Sequence, residues 1–220
     1  ADKALICDGT TPGPLHNNCS GKHAGFLTTA LHMAEPTKGY LAPSHPVQQR
    51  LLMILSDMGG VDLSNTPRGV DGCGIPVIGM PLAVMAMAMA CMADVQDLNA
   101  ARATAARRIV SAMAAHPDMV AGPGRFDTVA MTVGRGKFVI KTGAEGVYAG
   151  ILPTLGLGVA LKIADGAKRA AEVAMAGVLQ HLGVVDGPAE AAMKNFLTAP
   201  VLNAAGVRVG DIRLKDGWAG

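Results

Sequence analysis

Lys137-Phe-Val-Ile-Lys141, Val147-Tyr-Ala-Gly-Ile151 and Gly158-Val-Ala-Leu-Lys-Ile163 are three short β-type runs with turn residues between them. Connections this short favour hairpins, so the natural pairing is an antiparallel meander. Downstream, Asp165 caps a helix from Gly166 to about Leu182, a second helix covers Ala189 to Leu197, and a last strand spans Val207 to Leu214. Upstream the periodicity is helical: Lys22 to Glu35 sets Phe26, Leu27, Ala30, Leu31 and Ala34 on one side, and Pro36 and Gly39 end the run. Ser44-His45-Pro46 starts another helix, which Gly59-Gly60 stops after Met58. Asn65 to Gly79, dense in Gly, Pro and Asp, reads as a loop. Leu82 to Met92 reads as a buried helix, and Asp97 to Ala115 as an amphipathic one with Arg102, Arg107 and Arg108 on its wet side. The fold class is therefore α+β: a helical block, then a small antiparallel sheet covered by a C-terminal helix. With no repeat or linker in view, residues 1–220 read as one domain.

Composition narrows the partners. Half of the 220 residues are apolar but only four Phe, two Tyr and one Trp are aromatic, so Ala, Val, Leu and thirteen Met must build the core. Charged residues at 16% with this apolar content exclude a disordered chain or a coiled coil. The net charge of +2, without a basic run or basic residues interleaved with aromatics, argues against nucleic acid. Ile75 to Ala93 carries no charge, but Pro76, Gly79 and Pro81 break it too early for a membrane span. Cys7, Cys19, Cys73 and Cys91 are too few and scattered for a disulfide scaffold, and the usage points to the cytoplasm. The chain begins at Ala1 with no signal-peptide pattern and reads as a processed chain or a fragment.

Two loops spend unusual residues. His16-Asn-Asn-Cys-Ser-Gly-Lys-His23 enters a helix, so the Cys19 thiol lies near the positive helix end and three residues from the Lys22 ammonium; both favour thiolate. The plainer alternative is that Asn18 or Ser20 caps the helix and Cys19 packs. Val70-Asp-Gly-Cys-Gly-Ile-Pro76 sets a second thiol, Cys73, between two glycines, which suits either a tight turn or a mixed site of two thiolates, a nearby donor and water. Lys141-Thr-Gly143 at a strand end matches the K-T-G placement of serine β-lactamases, where the ammonium stabilises negative charge or assists proton transfer; Gly143 and Gly146 would leave room beside it. His45 reads as a helix-start residue, His32, His116 and His181 as wet or packed helix side chains, Cys7 and Cys91 as inert, and the Met80 to Met92 run as core.

His16-Asn-Asn-Cys-Ser-Gly-Lys-His-Ala-Gly25, His45-Pro-Val-Gln48, Gly69-Val-Asp-Gly-Cys-Gly-Ile-Pro76, Lys141-Thr-Gly-Ala-Glu-Gly-Val147 and Gly158-Val-Ala-Leu-Lys-Ile-Ala-Asp-Gly166 together resemble the L-asparaginase II family, the rhizobial-type asparaginases. The resemblance implies a serine β-lactamase/glutaminase-like fold, hydrolysis of L-asparagine to L-aspartate and ammonia, and a zinc ion. It assigns the metal to Cys19, Lys22 and Cys73, and catalytic parts to Lys141 and to Asp71, a carboxylate close by that either supports the ligands from behind or holds water. A homodimer acting on this small substrate is expected. The family's Ser-x-x-Lys nucleophile lies upstream of the His16 motif, so the chain reads as the C-terminal part of such an enzyme. Two other readings stand beside this one: an amidohydrolase with Cys19 as nucleophile activated by Lys22, and a non-catalytic zinc-stabilised binding domain.

Overall fold

The computed structural model describes residues 2–218. Contacts divide the chain into two compact units, Ala1–Asp57 with Val61–Met80 and Met58–Gly60 with Pro81–Gly220.

The first unit holds α1 (Asp2–Cys7), a 3-10 turn (Pro14–His16), α2 (Ser20–His32), most of α3 (Pro46–Gly59), β1 (Arg68–Val70) and β2 (Pro76–Ile78). Helix α2 starts earlier than its apolar spacing suggests, at Ser20, and ends earlier, at His32, because Ala34 turns left-handed at φ 55 and breaks the run. Ala30 is buried and Phe26 and Leu27 are half-buried, but Leu31, expected on the same apolar side, is 68% exposed. His45 begins α3 as expected: its Nδ1 accepts the Val47 N–H at 3.2 Å while Nε2 meets Pro36 O at 2.7 Å, so the proton sits on Nε2.

The stretch expected to be a loop is a hairpin. Strands β1 and β2 pair antiparallel, with Arg68 opposite Ile78 and Val70 opposite Pro76. The connecting turn is closed by Asp71 N–H to Ile75 O at 2.9 Å and Gly74 N–H to Asp71 O at 2.8 Å.

The second unit contains α4 (Leu82–Ala93), α5 (Ala100–Ala115), α6 (Pro117–Ala121), α7 (Phe126–Gly134), β3 (Val139–Thr142), β4 (Val147–Leu152), β5 (Leu157–Lys162), α8 (Lys168–His181), α9 (Gly187–Leu197), β6 (Thr198–Leu202) and β7 (Arg208–Arg213). The meander forms as read, in the order β3-β4-β5, with Val139 opposite Ile151 and Val147 opposite Lys162. Phe126, Met131, Phe138, Ile140, Tyr148 and Leu152 meet Met175 and Leu179 of α8 and Met193 of α9 in one core. Helix α5 keeps Arg107 and Arg108 exposed, half-covers Arg102 and buries Ala103, Ala106 and Val110; Asn99 accepts the Arg102 N–H at 2.9 Å and caps it.

Two expectations change here. Asp165 does not cap α8 directly; it accepts the N–H of Ala167, the capping residue, at 2.8 Å and pairs with Arg169. Helix α4 is not fully buried: Ala88 is, whereas Leu82 and Met87 are exposed, because the helix lays one face on the sheet. Gly158 of β5 permits that approach, since a Cβ there would sit 2.0 Å from Ala86 O and 2.3 Å from Ala90 N. Helices α6 and α7 and strand β6 have no counterpart in the sequence reading. Among the described residues no helix is long and apolar enough to cross a membrane.

Candidate functional site

Asn17 shapes the entry to α2. Its Oδ1 accepts the Cys19 N–H at 2.8 Å, which makes Cys19 the capping residue and leaves its sulfur with no capping duty. On the hairpin turn, Asp71 Oδ1 accepts the Gly72 N–H at 2.8 Å, while Oδ2 receives the Cys73 thiol at 3.4 Å and the Lys22 ammonium at 3.2 Å. The half-buried Cys19, Asp71 and Cys73 thus converge, their ligand atoms all within 4.8 Å of one another. Fifty-odd residues of chain separate the two thiols, and the hairpin absent from the sequence reading is what carries the second one.

Electrostatics in this cluster run against the sequence argument for a Cys19 thiolate. Burial and the hydrogen bond with Cys73 raise the Cys19 thiol above its ordinary value, and the opposing pull of Lys22 does not prevail. The Lys22 ammonium is committed to Asp71. Burial alone would lower it, but the Asp71 hydrogen bond and the nearby sulfurs outweigh that and raise it. Asp71 in turn is held below the usual carboxylate range by Lys22 first, then by the Cys73 thiol and the Gly72 N–H. Two sulfurs and a carboxylate oxygen at this separation are a donor set that a single zinc ion accepts. Lys22, charged and paired, reaches the same cluster through Asp71.

The family model of L-asparaginase II matches residues 1–214. The chain belongs to the L-asparaginase II family. No curated protein gives a significant match. In this L-asparaginase II chain Lys141 belongs to the second unit, at the end of β3, and is exposed, while Val139, two residues before it, is buried. Its ammonium donates to Thr142 O at 2.6 Å. A Cβ on Gly143 would meet Val147 at 3.2 Å, and one on Gly146, at φ +69, would meet Ile163 at 2.9 Å and Gly166 at 3.1 Å. These glycines let the K-T-G turn close on its own hairpin.

Two features escaped the sequence reading. His23, next to Lys22, meets the Tyr40 hydroxyl through Nδ1 at 2.6 Å, and its buried Nε2 has no hydrogen-bond partner among the described residues. Asp127, wholly buried in the first turn of α7, accepts the Thr142 N–H at 2.8 Å and the Tyr148 hydroxyl at 2.9 Å. Spacing gave no signal for either, since both pairings are tertiary.

Proposed function

We propose that this protein hydrolyses L-asparagine to L-aspartate and ammonia, and that the Cys19, Asp71 and Cys73 cluster is its zinc site. The observation that carries the reading is the convergence of those three donors within 4.8 Å in a chain of the L-asparaginase II family. Cys19 and Cys73 supply sulfur ligands. Asp71 either takes the third position or, as the resemblance has it, yields it to Lys22 and stays close by, supporting the ligands from behind or holding water. Zinc bound there would supply Lewis acidity and orientation for an amide.

The chemical logic is acyl transfer: a serine attacks the side-chain carboxamide, a lysine takes its proton and passes it to the amide nitrogen, which leaves as ammonia, and water hydrolyses the acyl-enzyme. The resemblance places that serine–lysine pair upstream of the His16 motif. Lys141 stabilises negative charge or sets the protonation of the pair, acting through Nζ. The β3-β4-β5 meander with α8 packed on it supports the serine β-lactamase/glutaminase-like fold proposed with this mechanism. A homodimer and a cytoplasmic site of action belong to the same proposal. The reading of Cys19 as a free nucleophile gains nothing from the geometry, because its thiol is pushed towards the protonated form.

The test is ammonia release from L-asparagine and L-glutamine by the full-length enzyme and by its Lys141→Met variant. Loss of a group that works in proton transfer should lower turnover by about 10²- to 10⁴-fold, with zinc content and melting temperature unchanged. Turnover that survives the substitution would make Lys141 a surface lysine.

A further inference from the structure

Lys141 can act on a proton only if the strand delivers its ammonium to a fixed place, and β3 is an edge strand: it pairs with β4 on one side alone in its sheet. Gly143 N–H bonds to Val147 O at 2.8 Å, so by the alternation of an antiparallel ladder the Thr142 N–H points away from β4. An edge N–H left without an acceptor costs free energy when buried, and lets the strand end shift when exposed. Here Asp127 takes it. The same carboxylate holds the Tyr148 hydroxyl, and Tyr148 is the residue directly opposite Thr142 on β4. One side chain therefore ties together both members of the last strand pair before the turn.

The anchor itself is rigid. Asp127 and Tyr148 are both fully buried. Phe126, next to Asp127, packs edge-on against the Tyr148 ring, with centroids 5.8 Å apart at 79°. Burial first, and the Asp127 carboxylate second, push the Tyr148 hydroxyl well above its ordinary pKa, so it remains a donor. On the other side of Thr142, its carbonyl receives the Lys141 ammonium at 2.6 Å. Thr142 is thus bracketed, its N–H held by Asp127 and its C=O by the lysine it follows.

We propose that Asp127 is a positioning residue for Lys141: it pins the peptide after the lysine to the helix α7 and to β4, and so fixes where the ammonium is presented. The proposal rests on the catalytic reading of Lys141 given above. A displacement of the order of 1 Å in such a group lowers turnover by about 10²-fold without weakening substrate binding.

Steady-state kinetics of L-asparagine hydrolysis by the full-length enzyme test it through five variants. Asp127→Ala should lower kcat by about 10- to 100-fold with KM within about twofold of wild type. Asp127→Asn, whose amide oxygen still accepts the Thr142 N–H, should recover kcat to within about threefold. If loss of the Tyr148 partner unfolds Asp127→Ala, the comparison moves to Asp127→Ala/Tyr148→Phe against Tyr148→Phe. Neither of those carries an unpartnered hydroxyl, so a difference between them reports what Asp127 does apart from holding Tyr148. The same drop in kcat at constant KM is expected there. Equal kcat in that pair, or Asp127→Ala retaining wild-type kcat, overturns the positioning role provided Lys141→Met in the same series is inactive. A Lys141→Met enzyme that keeps its turnover instead overturns the catalytic reading of Lys141.

Discussion

Zinc loading is the perturbation that tests the proposed Cys19, Asp71 and Cys73 site most directly. A tetrahedral zinc with Zn–S bonds of about 2.3 Å sets its sulfurs about 3.8 Å apart. The three donors already lie within 4.8 Å, so no edge of the site has to contract by more than about 1 Å, a side-chain adjustment. Such a site should bind at least as well as the weaker structural zinc peptides, about 10 kcal/mol, or a Kd near 50 nM. Free zinc at a thousandfold excess over Kd then adds about 4 kcal/mol to stability, and for a chain of this size that raises Tm by about 8–16 °C. Calorimetry in buffers of different ionisation enthalpy adds a count of protons. In the structure Cys73 donates its S–H to Asp71 and the Cys19 thiol is raised, so each must lose a proton to bind metal. Two protons released per zinc identify Asp71 as third donor, since its carboxyl is already held low; three identify Lys22, whose ammonium would have to deprotonate. A Tm shift under about 2 °C, or zinc affinity kept within threefold in both Cys19→Ala and Cys73→Ala, would refute the assignment.

Gly158→Ala should destabilise the protein by about 3 kcal/mol or more, because backbone of α4 stands 2.0 Å from the new Cβ and no side chain can swing away. Calorimetry should show Tm falling by about 6–12 °C, and a fall under 2 °C would mean that α4 does not lie against β5 as described. Glu35 forms a two-pronged pair with Arg50, at 3.1 and 2.5 Å, and the hydrogen bond to Arg50 lowers its carboxyl below the ordinary value. A lowered folded pKa means stability present above the unfolded value and lost as pH falls through the folded one, so urea midpoints of wild type and Glu35→Gln should differ at pH 7 and converge in acid. Midpoints that stay apart at low pH would show the pair to be irrelevant.

What the sequence showed and what it hid divide along the range of the interactions. The meander was legible because Val, Ile, Tyr and Leu alternate with turn residues over connections of a few residues, and α8 because its apolar stripe runs for several turns. Strands β1 and β2 were not, since three residues each, with Gly69 inside one and Pro76 opening the other, carry almost no β signal. Pro200 hid β6 in the same way. Helix α7 is nine residues long with Thr128, Val129, Thr132 and Val133 in it, a β-branched content that local propensity reads against a helix; packing of Phe126, Ala130 and Met131 into the core overrides it. The candidate site divides likewise. Cys19 and Cys73 stood out through their motifs, but their meeting depends on the hairpin. Asp127 shows the limit most sharply. A carboxylate in the first turn of a helix reads as a partner of the helix dipole, a role that would leave it at the surface. It is wholly buried instead, and both its oxygens face β3 and β4. A buried carboxylate must be compensated, and the two donors that compensate it lie 15 and 21 residues downstream, at the strand pair next to Lys141. Only the folded chain brings those donors to it, so the residue that would aim the lysine could not be found from the lysine's own motif.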